Sequence, residues 1–125
     1  MSDNLSSKEI TVDKYQPIYY AGASGDFNPI HIDEDYAKKA GLGSVILHGL
    51  CTMAFAYKAV MENKDPSLLK KIQVRFRNVV RINDKLKIIY RVLEENNKTK
   101  SFDVTVENQN KDQVITNGLV VIEND

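Results

Sequence analysis

His48-Gly49-Leu50-Cys51-Thr52-Met53-Ala54-Phe55-Ala56-Tyr57-Lys58-Ala59-Val60-Met61-Glu62 is the stretch on which the fold turns. Leu50, Met53, Ala54, Tyr57, Val60 and Met61 recur at spacings of three and four, and Ala56 and Ala59 add apolar cover. That spacing predicts a helix with a broad buried face. Beyond it the period drops to two. Val74 and Phe76 alternate with Arg75 and Arg77; Leu86, Ile88, Tyr90 and Val92 alternate with Lys87, Ile89 and Arg91; Phe102, Val104 and Val106 alternate with Asp103, Thr105 and Glu107. Each run reads as a strand with one buried face. The polar, Asn-rich segments 94–98 and 108–112 read as hairpin loops, and the run 114–122 as the last strand. One buried helix followed by about four strands closes a core if an antiparallel sheet packs around the helix. The fold class is α+β.

Upstream, Asp33-Glu34-Asp35-Tyr36-Ala37-Lys38-Lys39-Ala40-Gly41 carries its own helix instructions: Asp33 as N-cap, acids in the first turn, lysines in the last and Gly41 as the stop. The polar residues before Ile10 read as a loose, flexible end, so the expected organisation is a flexible segment 1–10 and a single domain 11–125. A chain of 125 residues buries one core of useful size.

Composition narrows the function classes. With 42% hydrophobic and 27% charged residues the chain is globular rather than disordered. Lys plus Arg and Asp plus Glu stand at 17 each, so no global field draws it to nucleic acid or to an anionic membrane. The start of the chain has no secretory pattern, no run of 18 uncharged apolar residues follows, and Cys51 is the single cysteine. The expectation is a cytoplasmic protein without a disulfide. Two histidines and one cysteine also make a zinc cage an unexpected reading.

The chemistry concentrates in Tyr20-Ala21-Gly22-Ala23-Ser24-Gly25-Asp26-Phe27-Asn28-Pro29-Ile30-His31. Residues five apart do not share a face of a helix or a strand, so Asp26 and His31 converge only if the chain bends between them. Asn28-Pro29 supplies a bend, and Gly25 permits an unusual backbone just before the acid. Taken alone, the same residues also describe an ordinary turn, and His31 an ordinary structural histidine.

The neighbourhood as a whole resembles the MaoC-like family of (R)-specific enoyl-CoA hydratases and hydroxyacyl thioester dehydratases. The hydratase signature of that family is matched by Tyr20-Ala21, Ser24-Gly25-Asp26, Asn28-Pro29-Ile30-His31 and Ala37. The likeness continues through Ala40-Gly41-Leu42-Gly43, His48-Gly49-Leu50 and the strand Val74-Arg75-Phe76-Arg77-Asn78. It departs at Ile82-Asn83-Asp84, where the family often has Pro-Gly-Asp. The resemblance implies a hotdog fold, a long helix wrapped by an antiparallel sheet. It also implies reversible hydration of a trans-2-enoyl thioester to the (R)-3-hydroxyacyl form. In that reading Asp26 and His31 are the acid/base pair, Asn28 orients the pair or its water, and the Gly49 N–H serves as oxyanion donor.

No cofactor or metal is implied; coenzyme A or an acyl carrier protein enters as the thioester carrier of the substrate. The implied assembly is a homodimer, or a heterodimer with a related hotdog subunit. Dehydration of a hydroxyacyl carrier protein in fatty-acid synthesis and non-catalytic thioester binding are the alternatives. His48 is expected to be structural, Cys51, Met53 and Met61 to be packing, and Arg75, Arg77 and Arg81 to form a solvated face.

Overall fold

A computed structural model describes residues 5–124. The elements run β1 (Ser6–Thr11), α1 (Gln16–Ser24), a 3-10 turn (Pro29–His31), α2 (Glu34–Lys39), α3 (Gly49–Met61), β2 (Leu69–Phe76), β3 (Lys85–Glu95), β4 (Thr99–Glu107) and β5 (Gln113–Glu123). The five strands form one sheet in the order β1-β3-β4-β5-β2, antiparallel at every pairing. Helix α3 lies against β2, β3, β4 and β5. This is the antiparallel sheet around a helix that the helix-then-strands pattern implied, and the hotdog fold that the family resemblance implied.

Helix α3 buries Cys51, Ala56, Ala59, Val60 and Met61 against Leu86, Ile88, Val104, Val106, Val120 and Ile122 of the sheet. Burying each large aliphatic side chain contributes about 1.5–3 kcal/mol. Ala56 and Ala59 add little area themselves, and small side chains let a helix lie close to strands. At β5, Asn117 takes φ 52° and Gly118 lies opposite Val104.

Several expectations are corrected. The segment read as a loose end contains β1, paired with β3 from Ser6↔Tyr90 to Thr11↔Lys85; residues 1–4 lie outside the described ones. Backbone bonds hold this edge strand, and Ile10 is its one partly buried residue, so no alternation marks it. Helix α1 also went unread, since Tyr19, Tyr20, Gly22 and Ser24 are weak helix formers. Its ends nevertheless carry local signals: Pro17 in the first turn, and Gly25 at φ 81° donating to the Ala21 carbonyl. Leu50, Phe76 and Val92, assigned to buried faces by period, are 59%, 47% and 46% exposed. Val92 sits at a register shift between β3 and β4, which breaks the alternation there.

Local expectations elsewhere match. The Asp33 side chain accepts from the Tyr36 N–H at the head of α2, and Gly41 follows at φ 86°. Asn83 fills the divergent turn at φ 68°, a left-handed position that asparagine tolerates.

Candidate active site

Three short pieces of chain meet at the N-terminal end of α3. The first is the loop after α1. Its backbone turns at Gly25, and the Asp26 N–H donates to the Ser24 hydroxyl at 3.1 Å. Asp26 Oδ1 accepts the Asn28 N–H at 3.2 Å, and the Asn28 side-chain oxygen accepts the Ile30 N–H at 3.2 Å. These bonds are the bend that the five-residue spacing required. They give Asn28 a definite job, since its backbone pins the Asp26 carboxylate and its side chain caps the 3-10 turn.

His31 ends that turn, buried at 8% exposure, while the Asp26 side chain stays 53% exposed. His31 Nδ1 lies 2.8 Å from the Ile46 carbonyl oxygen. A carbonyl only accepts, so Nδ1 carries a proton, and in the neutral form of the ring the lone pair is the one at Nε2. Nε2 is 3.9 Å from Asp26 Oδ2, too long for a direct hydrogen bond. An oxygen about 2.8 Å from both atoms would see them about 90° apart, close to the angle between the two hydrogens of water. The pair is therefore spaced to accept hydrogen bonds from both O–H groups of one water molecule.

The third piece is the start of α3. Gly49 is its first residue, and the first bonds back to the His48 carbonyl come from Cys51 and Thr52, so the Gly49 N–H precedes the helical ladder. His31 and Gly49 share a cleft of about 340 Å³ with Phe76, Asn78 and Val80. A β-carbon on Gly49 would lie 3.3 Å from Phe76 Cζ, so the missing side chain keeps that approach clear. The cleft wall is largely apolar, where an N–H at a helix start favours developing negative charge. Asp26 is not among the residues lining this cleft and reaches the site from its more exposed side, through its separation from His31.

His48, expected to be structural, belongs to the cluster. Its ring stacks on His31 with centroids 3.8 Å apart and planes inclined by 21°, and Tyr20 covers it at 4.7 Å. Its Nε2 lies 3.0 Å from the Asp26 carbonyl oxygen. The sequence signal was its place between the core helix and the motif, but nothing local showed that the loop folds back onto it.

Asp26, His31 and His48 bring potential ligand atoms within 4.8 Å of one another. A shared metal ion would need two imidazole lone pairs converging on a point about 2 Å from each. Rings stacked nearly parallel, each with one nitrogen on a backbone carbonyl, direct them along separate planes. The arrangement suits proton transfer better than metal ligation.

Cys51 is buried, and burial pushes its thiol up to about 11 despite a hydrogen bond from Gln16. At neutral pH it is a protonated packing group rather than a nucleophile. Arg77 donates to the Thr116 hydroxyl and Arg81 to the Leu42 carbonyl, so both cations are tied to the protein surface. A separate cleft of about 460 Å³, lined by Lys8, Ile10, Phe55, Lys58 and Glu62 near the far end of α3, holds none of the predicted site residues.

Comparison with known proteins agrees with this fold. The family described as MaoC like domain matches residues 2–114. The chain is 45% identical over 80 residues to the peroxisomal hydratase-dehydrogenase-epimerase of Saccharomyces cerevisiae, covering 64% of this chain and 9% of that protein. It is 48% identical over 60 residues to the peroxisomal enoyl-CoA hydratase 2 of Arabidopsis thaliana, covering 46% of this chain and 19% of that protein. The chain thus spans less than a fifth of the length of either relative. Among solved structures, the unliganded R-hydratase PhaJ1 from Pseudomonas aeruginosa superposes with a TM-score of 0.87 at 26% identity, over 98% of this chain and 80% of that one. With the signature loop, the hotdog fold and a family match across nearly the whole sequence in agreement, the chain belongs to the MaoC-like domain family.

Proposed function

We propose that the protein catalyses reversible hydration of trans-2-enoyl thioesters, with enoyl-CoA as substrate and an (R)-3-hydroxyacyl thioester as product. The observation that carries the reading is the placement of His31: Nδ1 lies 2.8 Å from the Ile46 carbonyl oxygen, which leaves Nε2, 3.9 Å from the Asp26 carboxylate, as the nitrogen available to take a proton. A water held by both loses one proton to the pair as its oxygen bonds to C3. The electrons of the C2–C3 double bond move toward the thioester carbonyl, whose oxygen becomes negative. The Gly49 N–H faces that oxygen, and the proton held by the pair then passes to C2 as the carbonyl re-forms. One water is consumed and no oxidation state changes overall, so the reaction calls for no redox cofactor, and in this reading the two side chains transfer the protons without a metal. The names of the relatives, an enoyl-CoA hydratase 2 and an R-hydratase, favour this chemistry.

The test is loss of the enoyl absorbance when purified protein meets crotonyl-CoA, repeated with the same acyl group on an acyl carrier protein. Turnover on the carrier protein alone would move the assignment to the fatty-acid synthesis dehydratase. Stable binding of either thioester without turnover would leave a binding protein.

We further propose that a second hotdog subunit, a copy of this chain or a relative, pairs along β2. That strand is a sheet edge, and Leu50, Phe76 and Val79 stand exposed around the neighbouring cleft. Exposed edges and clustered apolar side chains both favour being covered. Sedimentation equilibrium is expected to give twice the chain mass for the purified protein alone; a monomer that shifts only with a related subunit would indicate the heterodimer.

Among the described residues no helix is long and apolar enough to cross a membrane. We place the protein in the cytoplasm, on the free thiol of Cys51 and the balanced charge, against the peroxisomal names of two relatives. Cell fractionation distinguishes the two compartments.

A further inference from the structure

We infer that His48 is a positioning residue that holds Asp26 and His31 in register, an inference that rests on the hydratase reading of the same site. Three observations meet at its ring. Nε2 is 3.0 Å from the Asp26 main-chain oxygen, so Nε2–H donates to the loop that carries the acid. One face of the ring stacks on His31 at 3.8 Å, while Tyr20 packs against the ring at 4.7 Å. His48 is 3% exposed, and its Nδ1 has no hydrogen-bond partner among the described residues.

A histidine that merely filled space at this helix entrance would bury a polar nitrogen for no return. Burying an unpaired polar atom is unfavourable, and an apolar ring of similar shape avoids that cost. What histidine adds over such a ring is the single Nε2–H aimed at Asp26. That bond ties the largely exposed acid loop to the start of α3, the element that also presents Gly49. The stack packs against one face of His31, whose edge is already held by Ile46. One side chain thus couples acid, base and oxyanion donor, and a misplacement of about 1 Å at such a site can lower the rate by about 10².

Two variants separate donor from bulk. His48→Phe keeps a ring on His31 and removes the donor; His48→Gln places an amide nitrogen the same number of bonds from Cβ and loses the ring. For crotonyl-CoA hydration, His48→Phe is expected to lower kcat about 10–100-fold with KM within about threefold, and His48→Gln to restore kcat to within about fivefold of the parent. A second measurement needs no variant. Long-range 1H–15N spectra of the unliganded parent protein are expected to show His48 protonated at Nε2 and His31 at Nδ1. A His48 protonated at Nδ1, a His48→Phe protein within threefold of parent kcat, or a His48→Gln protein as slow as His48→Phe would each overturn the inference. If His48→Phe does not fold, the spectra and His48→Gln decide. If the parent hydrates no enoyl thioester, the hydratase reading fails by itself, and the ring tautomers still decide whether His48 donates to Asp26.

Discussion

Asp26→Asn lowers kcat for crotonyl-CoA at least about 10²-fold, with KM changed by no more than a few-fold and thermal stability nearly unchanged. The split follows from two jobs done by one side chain. Asn retains an oxygen able to accept the Asn28 N–H, so the turn that carries residue 26 keeps its hydrogen bond. It loses the negative charge and basicity beside His31 Nε2. His31→Ala lowers kcat by a similar factor but also deletes the bond to Ile46 and the stack on His48, so it costs stability as well, about 1 kcal/mol for the hydrogen bond. Asp26→Asn is therefore the cleaner substitution. A loss of only a few-fold, with the melting temperature lowered instead, would make Asp26 a turn residue and nothing more.

The largest expected effect on stability comes from Gly118→Ala. A β-carbon at position 118 would stand 2.4 Å from the Val104 carbonyl oxygen and 3.1 Å from Val104 Cβ. The nearest atom is backbone, so relief requires β4 and β5 to move apart where their register is already shifted. Overpacking of this kind costs about 3 kcal/mol, which corresponds to a fall of about 10 °C in Tm for a domain of this size. Gly22→Ala is the control: it lies within α1 with open space around the added carbon, and it is expected to leave Tm unchanged or raise it slightly. Calorimetry on the two variants checks the pair of results. Equal melting temperatures would show that the β4–β5 contact is looser than described.

What the sequence revealed depended on whether burial left a period in it. Helix α3 and strands β3 to β5 bury one face each, so Val60, Met61, Leu86, Ile88, Val104 and Val106 announced them. Strand β1 buries almost nothing and is held by the backbone of β3, a kind of bond that any side chain permits. Helix α1 is fixed by its ends and by Ala21 and Pro17 in the interior, while Tyr15, Ile18 and Tyr19 remain exposed, so its apolar residues point to no single buried face.

The same distinction applies at the site. Gly25, Asp26, Asn28, Pro29 and His31 shape a local turn, and their convergence was legible because the turn chemistry is local. Gly49 was singled out through the resemblance to the family, as the residue at the start of the helix. His48 did not, because its bond to Asp26 and its stack on His31 span 22 and 17 positions and exist only once the loop after α1 closes over α3. Phe76 and Leu50 misled for a related reason: their period is regular, but they sit at the sheet edge and helix end where the cleft opens.

The central claim is that the turn carrying Asp26 and His31 adds water to an enoyl thioester on one face, and the most direct measurement is product analysis after mixing purified protein with crotonyl-CoA. The account predicts loss of the enoyl absorbance and formation of (R)-3-hydroxybutyryl-CoA, with both abolished or greatly slowed in Asp26→Asn. Formation of the (S)-product, release of free coenzyme A, or hydration at the parent rate in Asp26→Asn would contradict it.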